Sequence, residues 1–447
     1  MNDKFSRLGF ILSIVGAAIG LGNAWKFPYM TGANGGSAFV LIYLVFTILV
    51  GLSIFFAELA MGKLSGGDVV SAFYSLAPKH KKLWSKAGFM MITGVLVASF
   101  YTLIIGWVIK YAVLSFSDLP INTDLAQQSF VGFITNDIKG QIFYYSIAFF
   151  SYFFILAKGI KSGIERLNLW LMPILFVLLM LMLGYSASMS GFSAALEFLL
   201  SPDFSKVTGE TIFMALGLAF FTMCVGIGAI ITYSASLNDS TNLFTSSLYV
   251  VALNLIISIV IGLIVFTFVF EFGGAPNGGP GLVFITLPTL FASLKVGILG
   301  NVLSFAFFSV LIFAGLTSAI SMVEPLIFYF SKSRGISRIR AIFIVGAITY
   351  ILGMLCIFGQ SADYSEALKF AGKSFFDWLD FISSNIMLPV GGMIICFFVG
   401  WSMRFDEVQG LLKPYMGRTI FEFWYFCVRF IAPACVLAVF IKGLYNE

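Results

Sequence analysis

The sequence predicts an all-α membrane protein that crosses the bilayer eleven times, and three observations predict it. Hydrophobic residues make up 60% of the 447-residue chain and charged residues 11%, whereas a soluble domain is roughly a quarter charged. Mean hydropathy is +1.00. Apolar runs of about 20 residues, the length a helix needs to cross hydrocarbon, recur along the whole chain. The net charge of +5 does not mark a nucleic-acid binder, because the basic residues cluster in loops between the runs. Cys224, Cys356, Cys396, Cys427 and Cys435 all lie in apolar runs with no CxxC spacing, so they read as small buried side chains. The single histidine, His80, falls in the charged loop "PKHKK" and is expected to be solvated.

The spans follow in order. The first, 8–33, comes after Lys4 and Arg7 without a convincing cleavage site, so it is read as a retained segment and not a signal peptide. The second, 38–62, carries Glu58, and the third, 88–115, begins beyond the loop around His80. The fourth and fifth, 141–157 and 164–185, are parted by basic residues. The sixth, 209–236, is interrupted by glycines; the seventh, 243–271, carries Asn254; the eighth, 298–331, carries Thr317, Ser318 and Glu324. Spans 338–358 and 377–402 complete a second set of five, and 419–442 adds an eleventh. The expectation is one transmembrane domain over 1–447, with five-helix repeats in 1–185 and 209–402. Among the longer connections (63–87, 116–140, 186–208 and 272–297), the last contains "GGAPNGGPG" beside "VFITLP" and reads as a structured cap over one face.

Basic residues set the orientation, because cytoplasmic loops carry the excess of Lys and Arg. With the N-terminus in the cytoplasm, that side holds seventeen: Lys4, Arg7 and those at 63–86, 158–166, 332–340 and 404–418. The outside holds six: Lys139, Lys206, Lys295, Lys369, Lys373 and Lys442. An odd number of spans then puts the C-terminus outside.

Span 1 contains "GAAIGLGNAWKFP", residues 16–28. Glycine weakens a helix, and Pro28 removes a donor and clashes one turn back. Glycine alone is explained by close packing between membrane helices. Three glycines, an asparagine and a proline in one stretch favour a broken helix, which lipid tolerates only where it lines a cavity inside the protein. Freed carbonyls can then hold a cation, and a half-helix N-terminus can face an anion. Span 6, "MALGLAFFTMCVGIGAIITY", is interrupted at Gly226 and Gly228 beside Thr222. Paired interrupted spans in corresponding positions of two halves point to an inverted repeat with a binding site between them. Asn254, Thr317, Ser318, Glu58 and Glu324 add polar groups at bilayer depth, where such groups are expensive. Each Ser or Thr alone is explained by a bond back to its own helix.

These residues resemble the neurotransmitter:sodium symporter family, in its LeuT-like bacterial amino-acid branch. The resemblance covers nearly the whole chain and is carried by "RLGFILSIVGAAIGLGNAWKFPYMTGANGGSAF", "ELAMG", "GIKSGIERLN", "FFTMCVGIGAIITY", "FAGLTSAISMVEP" and the lid segment "PGLVFITLP". It implies the LeuT-type 5+5 inverted repeat with discontinuous helices 1 and 6. It further implies sodium-coupled import of a neutral, hydrophobic or aromatic amino acid across a bacterial cytoplasmic (inner) membrane by alternating access, without enzymatic chemistry. A homodimer is compatible with it. A proton-coupled or exchanging transporter of the same fold, and a non-transporting amino-acid sensor, stay open as alternatives.

Carried over position by position, a first sodium site would use the Ala18 carbonyl with the side chains of Asn23, Thr222 and Asn254, completed by the substrate carboxylate. A second would use the carbonyls of Gly16, Ile19 and Ala314 with the hydroxyls of Thr317 and Ser318. Neutral oxygens of this kind suit a monovalent ion, whereas dedicated divalent sites recruit several carboxylates. Whether one or two ions are coupled is left open. The substrate carboxylate would meet the amides of Leu21 and Gly22 and the Tyr101 hydroxyl, and the amine the carbonyls near Ala18, Phe221 and Thr222. Gly20 stands where monoamine carriers have an Asp, which favours an amino acid. The side-chain wall would be Val97, Phe221, Cys224, Ile227, Ser318 and Met322.

Tyr101 and Phe221 would form an aromatic lid, and Lys26 with Asp380 an outer charged gate, with Asp377 as the competitor of Asp380. Lys26 departs from the family's Arg and makes a point contact in place of a fork. The family's inner gate pairs an N-terminal Arg with an Asp at the end of span 8; Lys332 occupies the Asp position and no Arg precedes Arg7, so other contacts are expected to close that side. Tyr43, Thr222, Asn254 and Ser258 resemble a chloride site, but Leu218 stands where a Gln would ligate, so chloride dependence is left open.

Overall fold

The computed structural model describes residues 4–238, 241–279, 281–294 and 297–445; Pro280 of the lid segment and Lys295 of the outer loops lie outside the described residues. Span 1 is a bent pair, α1 (Arg7–Ala18) and α2 (Gly22–Ala33), meeting at 49°. The helices α3 (Ser37–Ser65), α4 (Val69–Leu76), α5 (Lys81–Leu114), α6 (Thr123–Asn136), α7 (Ile138–Ala157), α8 (Ile160–Ser186) and α9 (Gly191–Leu200) follow. Span 6 is α10 (Gly209–Thr222) and α11 (Ala229–Ala235). Then come α12 (Leu243–Glu271), α13 (Leu282–Ala292), α14 (Leu299–Lys332), α15 (Arg338–Gln360), α16 (Phe375–Ser402) and α17 (Phe405–Leu444). Among the described residues nine helices are long and apolar enough to cross a bilayer, and the α1/α2 pair makes ten. With α10 and α11 taken together as one further span, this is compatible with the eleven expected.

Both breaks fall where the sequence places them. In span 1 the backbone leaves the helix at Ile19 (φ −81°, ψ 86°). In span 6 Cys224, Gly226 and Gly228 all take positive φ, of 54°, 86° and 78°, a region costly for a residue with a side chain. Glu58, on α3 and fully buried, accepts the freed Gly226 amide at 2.6 Å through Oε1. An amide stranded in lipid would cost several kcal/mol, so this carboxylate supports the break. The unwound segments sit inside a ring of helices: α1 packs on α8, α12 and α14, while α3 packs on α10 and α11.

The structure extends some expected boundaries. Helix α5 begins at Lys81 and not near residue 88, because the basic run after His80 is already helical. Helix α17 begins at Phe405 and is broken at Gly417 (φ 72°), so its membrane part starts near the expected position. The longer connections fold as α4, α6, α9 and α13. The Gly/Pro loop passes over Gly32 so closely that a methyl there would overlap the Pro276 carbonyl, and α13 follows it as a cap. All five cysteines are unpaired, four of them buried and Cys435 half-buried, and His80 is exposed.

Candidate functional site

Between the two breaks lies a cavity of about 30 Å³, room for about one water molecule. Its wall comes from five helices or breaks: Ala17, Ala18, Gly20 and Gly22 of span 1; Val97 and Tyr101 of α5; Phe221, Thr222, Cys224 and Ile227 of span 6; Ser318 and Met322 of α14; Leu388 of α16. Of the residues expected at the substrate site, Leu21 alone is not in this wall. It lines the outer cavity, and its amide donates to Tyr101 Oη at 2.7 Å. Gly20 leaves no space for a side chain, since a methyl there would lie 2.5 Å from both Ser318 Oγ and Tyr101 Oη. Ala17 and Leu388 were not expected. Their apolar side chains give no signal in a sequence this hydrophobic.

The residues expected to hold cations also converge. Asn23 is fully buried; its Nδ2 donates to Asn254 Oδ1 at 2.7 Å and to Ser258 Oγ at 2.7 Å, leaving Asn23 Oδ1 buried with no hydrogen-bond partner. Thr222 Oγ1 and Tyr43 Oη are 3.0 Å apart, so the candidate chloride residues Tyr43 and Ser258 border the same polar cluster. The Ala18 carbonyl accepts from the Gly20 amide at 3.0 Å across the break. One turn lower, Ser318 Oγ donates to the Gly16 and Ala17 carbonyls at 3.1 and 2.9 Å, and Thr317 Oγ1 donates to the Ala314 carbonyl at 3.1 Å. Gly16, Ala314, Thr317 and Ser318 therefore meet, and Ile19, expected with them, is buried where span 1 leaves the helix. Both groups offer neutral oxygens, and the orphaned Asn23 carbonyl oxygen is what a cation would satisfy.

The family model described as the sodium:neurotransmitter symporter family matches residues 2–128 and 126–447. The chain belongs to this family. It is 34% identical over 445 residues to an uncharacterized sodium-dependent transporter of Bacillus subtilis, covering 98% of this chain and 96% of the relative. It is 32% identical to an uncharacterized sodium-dependent transporter of Haemophilus influenzae, covering 98% and 97%. The crystal structure of MhsT in complex with L-phenylalanine superposes with a TM-score of 0.87 at 37% identity, covering 98% of each chain. The protein is a multi-pass sodium-dependent transporter with the LeuT-type fold, and not an enzyme.

On the side of this symporter that carries Lys26 and Asp380, a cavity of about 430 Å³ lies beyond Tyr101 and Phe221. Lys26 and Asp380 both line it but are engaged elsewhere: Lys26 Nζ stands 4.1 Å from the centre of the Phe221 ring, and Asp380 Oδ1 accepts from Ser384 Oγ at 2.7 Å. Asp377 caps its own helix through Ser374, and of the two carboxylates Asp380 is the one that lines this cavity with Lys26.

The end of the molecule where the N-terminus packs is closed by contacts the sequence did not disclose. Phe5 is fully buried, its ring 5.5 Å edge-on from Tyr233, its amide donating to the Ser236 carbonyl at 2.9 Å and its carbonyl accepting from Asn238 Nδ2 at 3.0 Å. Ser6 donates to Glu165 Oε1 through its hydroxyl at 2.5 Å and its amide at 3.1 Å. Arg338 grips the fully buried Glu324 with two bonds of 2.9 and 2.7 Å. Lys332 is exposed at the end of α14.

Proposed function

We propose that this symporter imports a neutral apolar or aromatic amino acid together with sodium, with its N-terminus in the cytoplasm and its C-terminus outside. The composition of the central wall carries the reading. Val97, Phe221, Ile227, Met322 and Leu388 are apolar, among the described residues no Asp, Glu, Lys, Arg or His lines the cavity, and Gly20 has no room for the acid that a carboxylate-free amine would need. MhsT, of the same family and fold, binds L-phenylalanine. A ligand carboxylate at Leu21 and Gly22 would displace the Tyr101 hydroxyl from the Leu21 amide and complete the oxygen set around Ala18, Asn23, Thr222 and Asn254. The group at Gly16, Ile19, Ala314, Thr317 and Ser318 would hold a second ion. Coupling then follows, since ligand and ion share one set of oxygens and each raises the affinity of the other. Each sodium entering a negative interior gains about 2.3 kcal/mol per 100 mV, against about 1.4 kcal/mol per decade of amino-acid accumulation.

The aromatic lid, the wide cavity beside Lys26 and the closed opposite end support an outward-facing arrangement. The contacts of Phe5, Ser6 and Arg338 support closure of the cytoplasmic side and so favour a transporter over a sensor. Uptake of radiolabelled amino acids into proteoliposomes tests the reading. Accumulation of a neutral apolar amino acid is expected under an inward sodium gradient and is expected to vanish in choline. Accumulation that persists in choline contradicts sodium coupling, and tight binding without flux would restore the sensor.

A further inference from the structure

Asn168, on α8, is used by neither the central wall nor the gates. It is 1% exposed. Its Nδ2 donates to the Ile164 carbonyl, one turn back on its own helix, at 2.8 Å. An amide donates only through nitrogen, so this bond turns Oδ1 away from that carbonyl. Oδ1 is buried and has no hydrogen-bond partner among the described residues. It faces α1 at Gly16: a methyl built on Gly16 would overlap Asn168 Oδ1, and would stand 3.1 Å from Thr317 Cβ and 3.3 Å from Thr317 Oγ1. Gly16, Asn168 and Thr317 thus converge from α1, α8 and α14 on one point.

We propose that Asn168 Oδ1 is an additional ligand oxygen of the second sodium site. The inference rests on the sodium reading above and extends its set of Gly16, Ile19, Ala314, Thr317 and Ser318, which draws on α1 and α14 alone. A carbonyl oxygen left without a partner inside a membrane protein is costly, and a cation beside Gly16 and Thr317 removes that cost. The amide oxygen is neutral, like the rest of the set, and suits a monovalent ion. The absent side chain at position 16 is what admits Oδ1 to the site. With Asn168 as a ligand the ion bridges three helices, so its departure frees α1 from α8 as well as from α14. A spacer role explains less, because the Nδ2 bond stays within α8 and does nothing to join the two helices.

The test reads ion binding without transport. The melting midpoint of the purified protein is titrated with sodium chloride at constant ionic strength in choline chloride, without amino acid. Asn168→Ala is expected to raise the half-maximal sodium concentration about tenfold, which is about 1.4 kcal/mol, while the midpoint in choline alone barely moves. Asn168→Asp keeps an oxygen and adds charge, so it is expected to lower the half-maximal concentration below that of the unaltered protein. Should Asn168→Ala fail to fold, the Asp variant decides: a half-maximal concentration that is unchanged or raised overturns the assignment. Values within twofold of the unaltered protein for both variants also overturn it. An unaltered protein that does not respond to sodium at all would instead contradict the sodium reading on which the assignment rests.

Discussion

Asn254→Ala separates the cost of removing a buried side chain from the cost of removing an ion ligand. Asn254 is fully buried on α12, and its Oδ1 accepts from Asn23 Nδ2 at 2.7 Å. Truncation does not strand that donor, because Asn23 Nδ2 keeps Ser258 Oγ at 2.7 Å and the Asn254 backbone carbonyl at 3.4 Å. The Asn254 amide nitrogen makes only a long contact of 3.7 Å to Met223 Sδ. The lost hydrogen bond is therefore worth about 1 kcal/mol to the fold. Interactions with a charged partner are worth about 1.5–3 kcal/mol, so losing an oxygen from the ion should weaken sodium binding about 10- to 100-fold. The assay is equilibrium binding of a radiolabelled apolar amino acid against sodium concentration, with choline keeping ionic strength constant and size-exclusion profiles reporting the fold. A shift of the sodium midpoint by at least tenfold in well-folded protein is expected. A midpoint within twofold of the unaltered protein would refute the assignment of Asn254 and, with it, the first ion site.

Three further perturbations probe other parts of the site. Gly20→Ala places a methyl 2.5 Å from Ser318 Oγ and Tyr101 Oη, so amino-acid binding should fall below detection while sodium still raises the melting midpoint. Arg338→Met leaves Glu324 charged and buried without its partner, and should cost about 3–5 kcal/mol of stability, read as a large drop in melting midpoint. Phe5→Ala removes the ring packed on Tyr233 and should favour opening toward the cytoplasm. In a background lacking the native cysteines, Ser321→Cys, at the position that bonds Tyr233 at 2.9 Å, should then react several-fold faster with a thiol reagent supplied from that side.

What could be read from the sequence was whatever stood out against an apolar background. Asn23, Asn254, Thr317 and Ser318 are polar groups in lipid-length runs, and the glycines of both broken spans cluster beyond what packing needs; the structure gathers them in two neighbouring groups beside the breaks. Glu58 stood out as expensive, but that its carboxylate takes the Gly226 amide is a contact between residues 168 apart in sequence, which no local pattern encodes. Leu388 and Ala17 were silent because apolar residues are the rule here. Phe5 was silent because its role depends on where Tyr233 and Ser236 arrive after folding. Asn168 stood within a quoted segment, "GIERLN", yet only the direction of its amide gives it meaning. The pairing of Lys26 with Asp380 was carried by family pattern, whereas the structure gives Lys26 to the Phe221 ring; a single flexible ammonium with three rotatable donors has no geometry that demands the carboxylate.

Coupling in the proposed mechanism depends on ligand and cation occupying a common set of oxygens where two helices come apart. The most direct measurement is a pair of titrations on the purified protein: amino-acid affinity at zero and saturating sodium, and sodium affinity without and with the amino acid. Shared oxygens require both affinities to rise, and by the same factor, because linkage between two binding equilibria is reciprocal. An amino-acid affinity that is the same in sodium and in choline would contradict it.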